Sequence, residues 1–136
     1  MRILYVSIHA ILEYDDIRIL RSLGHEVFSL GTYLDPRKPI GHAWRKPIAR
    51  LSRFDFLGRY RAAGGDPATK RVPPAFLRLF DAVVVMNDFE FLEANEDTLK
   101  QVRVIWRTIG QCNPRFETQL APFRSLVRIA RASPLE

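Results

Sequence analysis

The sequence contains a single cysteine, Cys112, and no apolar run long enough to cross a membrane. One cysteine cannot form an internal disulfide framework or a zinc site made of cysteines alone, and so low a content suits a cytoplasmic protein. The short apolar runs predict no membrane-spanning helix. Because an apolar run begins at Ile3, directly after Met1-Arg2, we expect neither a signal peptide nor a transit sequence.

Glycine is missing from the turn that follows the first apolar run. That run covers residues 3–8, and the turn continues as His9-Ala10-Ile11-Leu12. A dinucleotide-binding turn needs G-x-G-x-x-G at this place, because glycine lets the backbone approach a pyrophosphate. The usual phosphate cradle is therefore not expected here.

The order of apolar patterns predicts an α/β fold. A buried strand over residues 3–8, a helix over 11–23 that ends at Gly24, and a strand over 25–30 form a βαβ unit. Further strands are predicted over 81–86, 102–108 and 126–130, and helices over 47–61, 75–80, 89–101 and 115–123. We predict one Rossmann-like, doubly wound domain over 1–136, with a mostly parallel sheet and helices on both faces.

Most of the surplus positive charge lies in a basic insert at about residues 32–72. The whole chain has a formal charge of +6, and the insert's only acidic residues after Arg37 are Asp55 and Asp66. Its predicted helix carries aromatic side chains beside basic ones, which fits contact with an anionic membrane surface. The candidate contact residues are Arg45, Lys46, Arg50 and Arg53. A sheet-packed helix with a solvated arginine face is the alternative, and no motif supports nucleic-acid binding.

Polar residues follow several of the predicted strands. Because parallel strands deliver their carboxyl ends to one edge of a sheet, these residues are predicted to line a shared ligand crevice. They are Ser7 and His9, Asn87 and Asp88, and Thr108, Gly110 and Gln111. The alternative is structural: a lone histidine caps or bonds its neighbours more often than it binds a metal, and early helical carboxylates such as Asp15 and Asp16 favour the helix dipole.

Several segments resemble the amino-terminal domain of a GT-B glycosyltransferase. They are the first strand ending in His9, the segment Leu20-Arg21-Ser22-Leu23-Gly24-His25-Glu26-Val27, the strand Phe80-Asp81-Ala82-Val83-Val84-Val85, and residues 102–110. The resemblance implies that this chain binds a carbohydrate or lipid-linked acceptor and holds no cofactor. The nucleotide-sugar donor would then bind a second Rossmann-like domain, which we expect to follow covalently because the chain stops after a strand.

Particular roles follow from that resemblance. In an inverting enzyme a base takes the proton of the acceptor hydroxyl, and His9 or Asp88 would be that base, with Asp15 and Asp16 behind them. Ser7, Asn87, Thr108, Gly110 and Gln111 would bind substrate. In a retaining enzyme all of these groups would only orient the acceptor. The isolated chain is expected to be inactive, and the basic insert would place it at the inner face of the membrane.

Two other classes remain open. One is a stand-alone flavodoxin-like binding or regulatory module, although a phosphoacceptor receiver needs an acidic pair where this chain has His9-Ala10. A cobalamin site needs Asp-x-His-x-x-Gly, which His9 does not complete. The other class is a peripheral membrane or polyanion adaptor built on the basic insert.

Overall fold

A computed structural model describes residues 1–29, 56–66, 69–108 and 114–130 of the chain. Its strands are β1 (Arg2–Ser7), β2 (Glu26–Ser29), β3 (Ala82–Met86), β4 (Arg103–Arg107) and β5 (Val127–Ala130). Its helices are α1 (Ala10–Ser22), α2 (Phe56–Ala62), α3 (Pro74–Leu77), α4 (Phe89–Leu99) and α5 (Pro114–Leu120), followed by a 3-10 turn over Ala121–Phe123.

The five strands form one parallel sheet in the order β2-β1-β3-β4-β5. The chain moves from β1 to β2 in one direction and from β3 to β5 in the other. The strand order therefore reverses between β1 and β3, where open α/β sheets leave a crevice at their carboxyl ends. The register sets Ser7 beside Met86, so the residues that leave β1 and β3 start from neighbouring positions.

The end of α1 is fixed by a glycine. Gly24 has φ +85°, a left-handed conformation that glycine adopts without strain. The Gly24 N–H donates to the Arg21 carbonyl and the His25 N–H to the Leu20 carbonyl, the two bonds of a Schellman cap. The chain thus turns directly from α1 into β2, which closes the βαβ unit.

The two faces of the sheet carry cores of different size. The larger core packs α2 to α5 against one face, with Tyr60, Phe76, Leu92 and Leu120 among its buried residues. The smaller core lies under α1 and centres on Tyr5 and other side chains of alternate strand positions. Since β1 and β3 are buried on both faces, they form the centre of the sheet, as near-continuous apolar runs predict.

The predicted fold class is confirmed: the domain is α/β with an all-parallel sheet and helices on both faces. The five predicted strands are present within two residues at each end. The predicted helix over 115–123 becomes α5 and a 3-10 turn, because Pro122 lies at the point of change and cannot donate a backbone hydrogen bond.

The basic insert is described only in its last part. Of the predicted helix over 47–61, the structure describes α2, which ends at Ala62, one residue beyond the predicted end. The proposed membrane-contact residues Arg45, Lys46, Arg50 and Arg53 lie outside the described residues. Within the described ranges, no helix is long and apolar enough to cross a bilayer.

Candidate functional site at the carboxyl edge of the sheet

His9 and Asn87 meet at the point where the strand order reverses. His9 follows β1 and Asn87 follows β3, and the Asn87 Nδ2 lies 3.2 Å from the His9 Nε2. With the amide donating, Nε2 is the acceptor and the imidazole proton resides on Nδ1. The His9 ring is half-buried. An imidazole and a carboxamide are therefore joined at the edge where a ligand crevice is expected.

The turn that presents His9 is held by Ser7. The His9 N–H donates to Ser7 Oγ at 2.8 Å, and the Ser7 hydroxyl lies 3.2 Å from the His9 carbonyl oxygen. The same carbonyl accepts the Glu13 N–H, which is the first bond of α1. Ser7 is fully buried. Its hydroxyl is used inside the turn and fixes where His9 stands.

Asn87 and Asp88 form the tight exit from β3. Asn87 has φ +52°, in the left-handed region that asparagine tolerates better than most residues. Asp88 then caps α4, since its Oδ1 accepts the Phe91 N–H at 3.0 Å. The sharp turn places the Asn87 carboxamide toward β1 and starts α4 immediately behind it.

The Asp88 carboxylate also binds Lys70. The Lys70 Nζ lies 3.1 Å from Asp88 Oδ1 and 2.9 Å from Glu90 Oε2. Burial by itself lowers the pKa of the Lys70 ammonium, but the two carboxylates more than offset this effect, so its pKa is raised. Lys70 stays charged, and Asp88, which is buried, has a cation beside it.

Asn95 fixes the segment that carries Lys70. Its Oδ1 accepts the Val72 N–H at 2.6 Å, and its Nδ2 donates to the Lys70 and Phe91 carbonyls, both at 2.8 Å. Asn95 is 3% exposed, and its bonds to Val72 and Phe91 are buried, whereas the bond to the Lys70 carbonyl is partly buried. Together, Asn95, Lys70 and Asp88 form what we call the lysine brace. It ties the start of α4 to residues 70–72.

A second group of charges lies under α1, on the other face. The Tyr5 hydroxyl donates to Asp16 Oδ2 at 2.5 Å, and the Arg107 Nε lies 3.1 Å from the same oxygen. Burial, and then the hydrogen bond to Asp16, raise the pKa of Tyr5. We call Tyr5, Asp16 and Arg107 the arginine brace. It ties α1 to β1 and β4.

The predicted site residues have different fates in the structure. His9 and Asn87 are brought together, and Asp88 follows them as a buried cap. Thr108 lies one strand further along the same edge, where its N–H donates to the Ala130 carbonyl of β5. Gly110 and Gln111 lie outside the described residues. Of the carboxylates expected behind the site, Asp16 belongs to the arginine brace and Asp15 is exposed on α1.

Sequence reasoning missed Lys70, Asn95 and Arg107. Alternation along β4 could have indicated Arg107, since Val104 and Trp106 face the larger core and Arg107 must therefore face α1. An aspartate directly before an apolar helical pattern is also a cap signal, which applied to Asp88. No local pattern indicated Lys70 or Asn95, because their partners are about twenty residues away along the chain.

An open depression among the described residues lies elsewhere. It measures about 720 Å³ and lies between residues 63–74 and the middle of α4, with Asn95 at its floor. Neither His9 nor Asn87 lines it. No group of three or more histidine, cysteine, aspartate or glutamate side chains is placed to hold a metal ion within the described ranges.

Comparisons of this chain with protein-family models, with curated proteins and with solved structures find no match.

Proposed function

We propose that this chain is the acceptor-binding, amino-terminal domain of a GT-B-like glycosyltransferase, and that its acceptor binds at His9 and Asn87. The observation that carries the proposal is the 3.2 Å contact between the His9 Nε2 and the Asn87 Nδ2 at the reversal of strand order. Parallel sheets of this kind bind ligands at that point.

The chemistry of the pair suits a neutral ligand with hydroxyl groups. Imidazole and carboxamide groups both donate and accept hydrogen bonds, as sugar hydroxyls do. Neither group carries a fixed positive charge, and the β1–α1 turn has no glycine to admit a diphosphate. These features favour an acceptor over a nucleotide-sugar at this edge.

Aromatic side chains lie beside the exit of β3. The Phe89 ring centroid is 4.6 Å from that of Trp106 and 5.9 Å from that of Phe116, and both phenylalanines are half-buried. Apolar walls with a few polar groups are typical of small-molecule sites. The cluster offers the acceptor an apolar surface next to the polar pair.

In an inverting reaction His9 is the better candidate for the base. Its Nε2 lone pair accepts from the Asn87 amide. When an acceptor hydroxyl binds, this amide can donate to the hydroxyl oxygen, and Nε2 can then accept the hydroxyl proton. Asp88 is buried, accepts the Phe91 N–H and is paired with Lys70, so we assign it a positioning role. The donor would be held by a second domain, and the basic residues Arg45, Lys46, Arg50 and Arg53 remain candidates for membrane contact.

The test is an NMR titration of the chain with two kinds of probe. The first probes are methyl glycosides of common hexoses and octyl β-glucoside below its micelle concentration; the second is UDP-glucose. We expect at least one glycoside to shift the amide signals of residues 8–10 and 87–90. UDP-glucose should leave these signals unchanged.

Matched variants locate the site. His9→Ala and Asn87→Ala should weaken glycoside binding at least tenfold, while His25→Ala, which changes a histidine at the opposite edge of the sheet, should leave it unchanged. Binding of UDP-glucose at residues 8–10, or glycoside shifts only in other regions, would contradict the proposal.

A second candidate function is a stand-alone binding module with the flavodoxin-like strand order. The order β2-β1-β3-β4-β5 favours it, because that is the order of flavodoxin-like domains. Flavin mononucleotide is the discriminating probe. Binding of this nucleotide at the His9 turn would support the module and oppose the acceptor site.

A further inference from the structure

We propose that the half of the sheet that no described helix covers on the α1 side is a docking groove for an acidic amphipathic helix of a partner protein. The inference is independent of the proposed acceptor site. We call this surface the β4–β5 groove. It is lined by Leu12 and Ile19 of α1, by Leu23 directly after α1, and by Arg103, Ile105 and Arg128 of the sheet.

One flank of α1 forms the apolar wall of the groove. Asp16 marks the flank that faces β4, because it pairs with Arg107. Leu12 and Ile19 lie four residues before and three residues after Asp16, so they share that flank. They are 38% and 57% exposed, and Leu23 is 67% exposed. The opposite flank is polar, with Arg21 bonded to the Val27 carbonyl of β2.

The floor of the groove is the α1-side surface of β4 and β5. Val104 and Val127 face the larger core, so Arg103, Ile105 and Arg128 face the α1 side. Register places Ile105 beside Arg128. Among the described helices, only α1 packs on this side, since the buried residues of the others belong to the larger core.

The dimensions of the groove fit one helix. Two strands span about 10 Å, which is the diameter of one α-helix with its side chains. A helix laid beside α1 would contact its exposed leucine and isoleucine side chains at the usual interaxial distance of about 8–10 Å. An amphipathic helix therefore matches both the width and the apolar wall.

The charge of the floor selects an acidic occupant. Arg103 and Arg128 are both exposed, and neither has an ion pair with a described residue. A second copy docked groove to groove would bring four arginines, two from each copy, into one interface. The chain's own residues 30–55 carry six basic and two acidic side chains, so their charge does not complement the floor. Glutamates flanking an apolar stripe would do so.

The test uses two synthetic 18-residue helical peptides with the same leucine stripe, one flanked by glutamates and one by lysines. Fluorescence anisotropy should show binding of the acidic peptide and at least tenfold weaker binding of the basic one. The variant Arg103→Glu/Arg128→Glu should bind the acidic peptide at least tenfold more weakly. Ile19→Ser should also weaken binding, and NMR shifts should map to α1 and β4.

The control is the variant Arg61→Glu/Arg78→Glu, which makes the same charge change at exposed positions away from the groove. It should alter the affinity less than twofold, and thermal melts of all variants should show intact folding. The proposal would be overturned if both peptides bound equally or if neither bound at millimolar concentration. It would also be overturned if the chain self-associated and the groove variants did not. Groove-dependent sedimentation with anionic phosphatidylserine vesicles instead of peptide binding would also overturn it.

Discussion

Replacing Asn95 by alanine should destabilise the domain far more than its small change in volume suggests. The substitution removes the acceptor of the Val72 N–H and one donor each to the Lys70 and Phe91 carbonyls. The Phe91 carbonyl keeps the hydrogen bond that it accepts within α4. The Val72 N–H and the Lys70 carbonyl are the two groups that lose their partner. A buried backbone group left without a partner costs about 1–3 kcal/mol. Two such groups would cost about 2–6 kcal/mol. Because the bond to the Lys70 carbonyl is only partly buried and water can replace it, we expect a loss of about 2–4 kcal/mol in the free energy of unfolding.

The assay is urea unfolding followed by circular dichroism, with hydrogen exchange of the Val72 amide as the local measure. The m-value should stay constant while the midpoint falls. Exposed Glu93→Ala on the same helix is the control and should change stability by no more than about 0.5 kcal/mol. Asn95→Asp should be at least as damaging near pH 7, because a carboxylate would set a buried negative charge against the Lys70 and Phe91 carbonyl oxygens, to which it cannot donate. A loss from Asn95→Ala as small as that of the control would refute the reasoning.

Three further predictions concern other parts of the domain. Gly65→Ala should cost about 2 kcal/mol more than Gly64→Ala in urea unfolding. A Cβ at Gly65 would clash with the Tyr60 ring, whereas a Cβ at Gly64 would have no atom within 4 Å and would only suffer the positive φ of that position. Equal losses would contradict the packing argument. Burial, and then a nearby carboxylate, raise the pKa of Tyr60 from 10.0 to about 12, so stability should be full below pH 10 and fall from pH 10 to about 12. Between pH 10 and 12, Tyr60→Phe should reduce the slope of the free energy of unfolding against pH by up to about 1.4 kcal/mol per pH unit. Equal slopes for the wild type and Tyr60→Phe would show that Tyr60 ionisation does not lower stability. Asp16→Asn should lower stability by about 1–3 kcal/mol, because Arg107 loses its half-buried ion pair; an unchanged melting temperature would show that this pair contributes nothing.

Much of the fold could be predicted from local patterns. The apolar runs of β1 and β3 require burial on both faces, and Gly24 marks the end of α1 at the residue where the chain turns. Such signals lie within a few residues of the feature they specify. The strand exits could also be predicted, because a parallel sheet sends all carboxyl ends to one edge, and His9 and Asn87 do meet there.

The roles of the charged residues could not be predicted in the same way. Asp88 was a candidate base by position, but its environment depends on Lys70, eighteen residues earlier, which Asn95 in turn fixes. The environment of Asp16 likewise depends on Arg107 in a strand 91 residues away. Long-range partners of this kind follow from the packing of loops and helices on the sheet. Local periodicity in the sequence does not indicate which residues form these long-range pairs.

The two braces have a common relation to the candidate site. The helix α1 begins directly after His9 and is tied to β1 and β4 by the arginine brace. The helix α4 begins directly after Asn87 and Asp88 and is tied to residues 70–72 by the lysine brace. Each polar partner at the crevice is thus followed by a helix whose position a half-buried ion pair fixes, one on each face of the sheet. Groups held in place before a ligand arrives lose little entropy when they bind it. Weakening either brace should therefore reduce glycoside affinity, although the hydrogen bonds of His9 join it to Ser7, Glu13 and Asn87 and not to a brace residue.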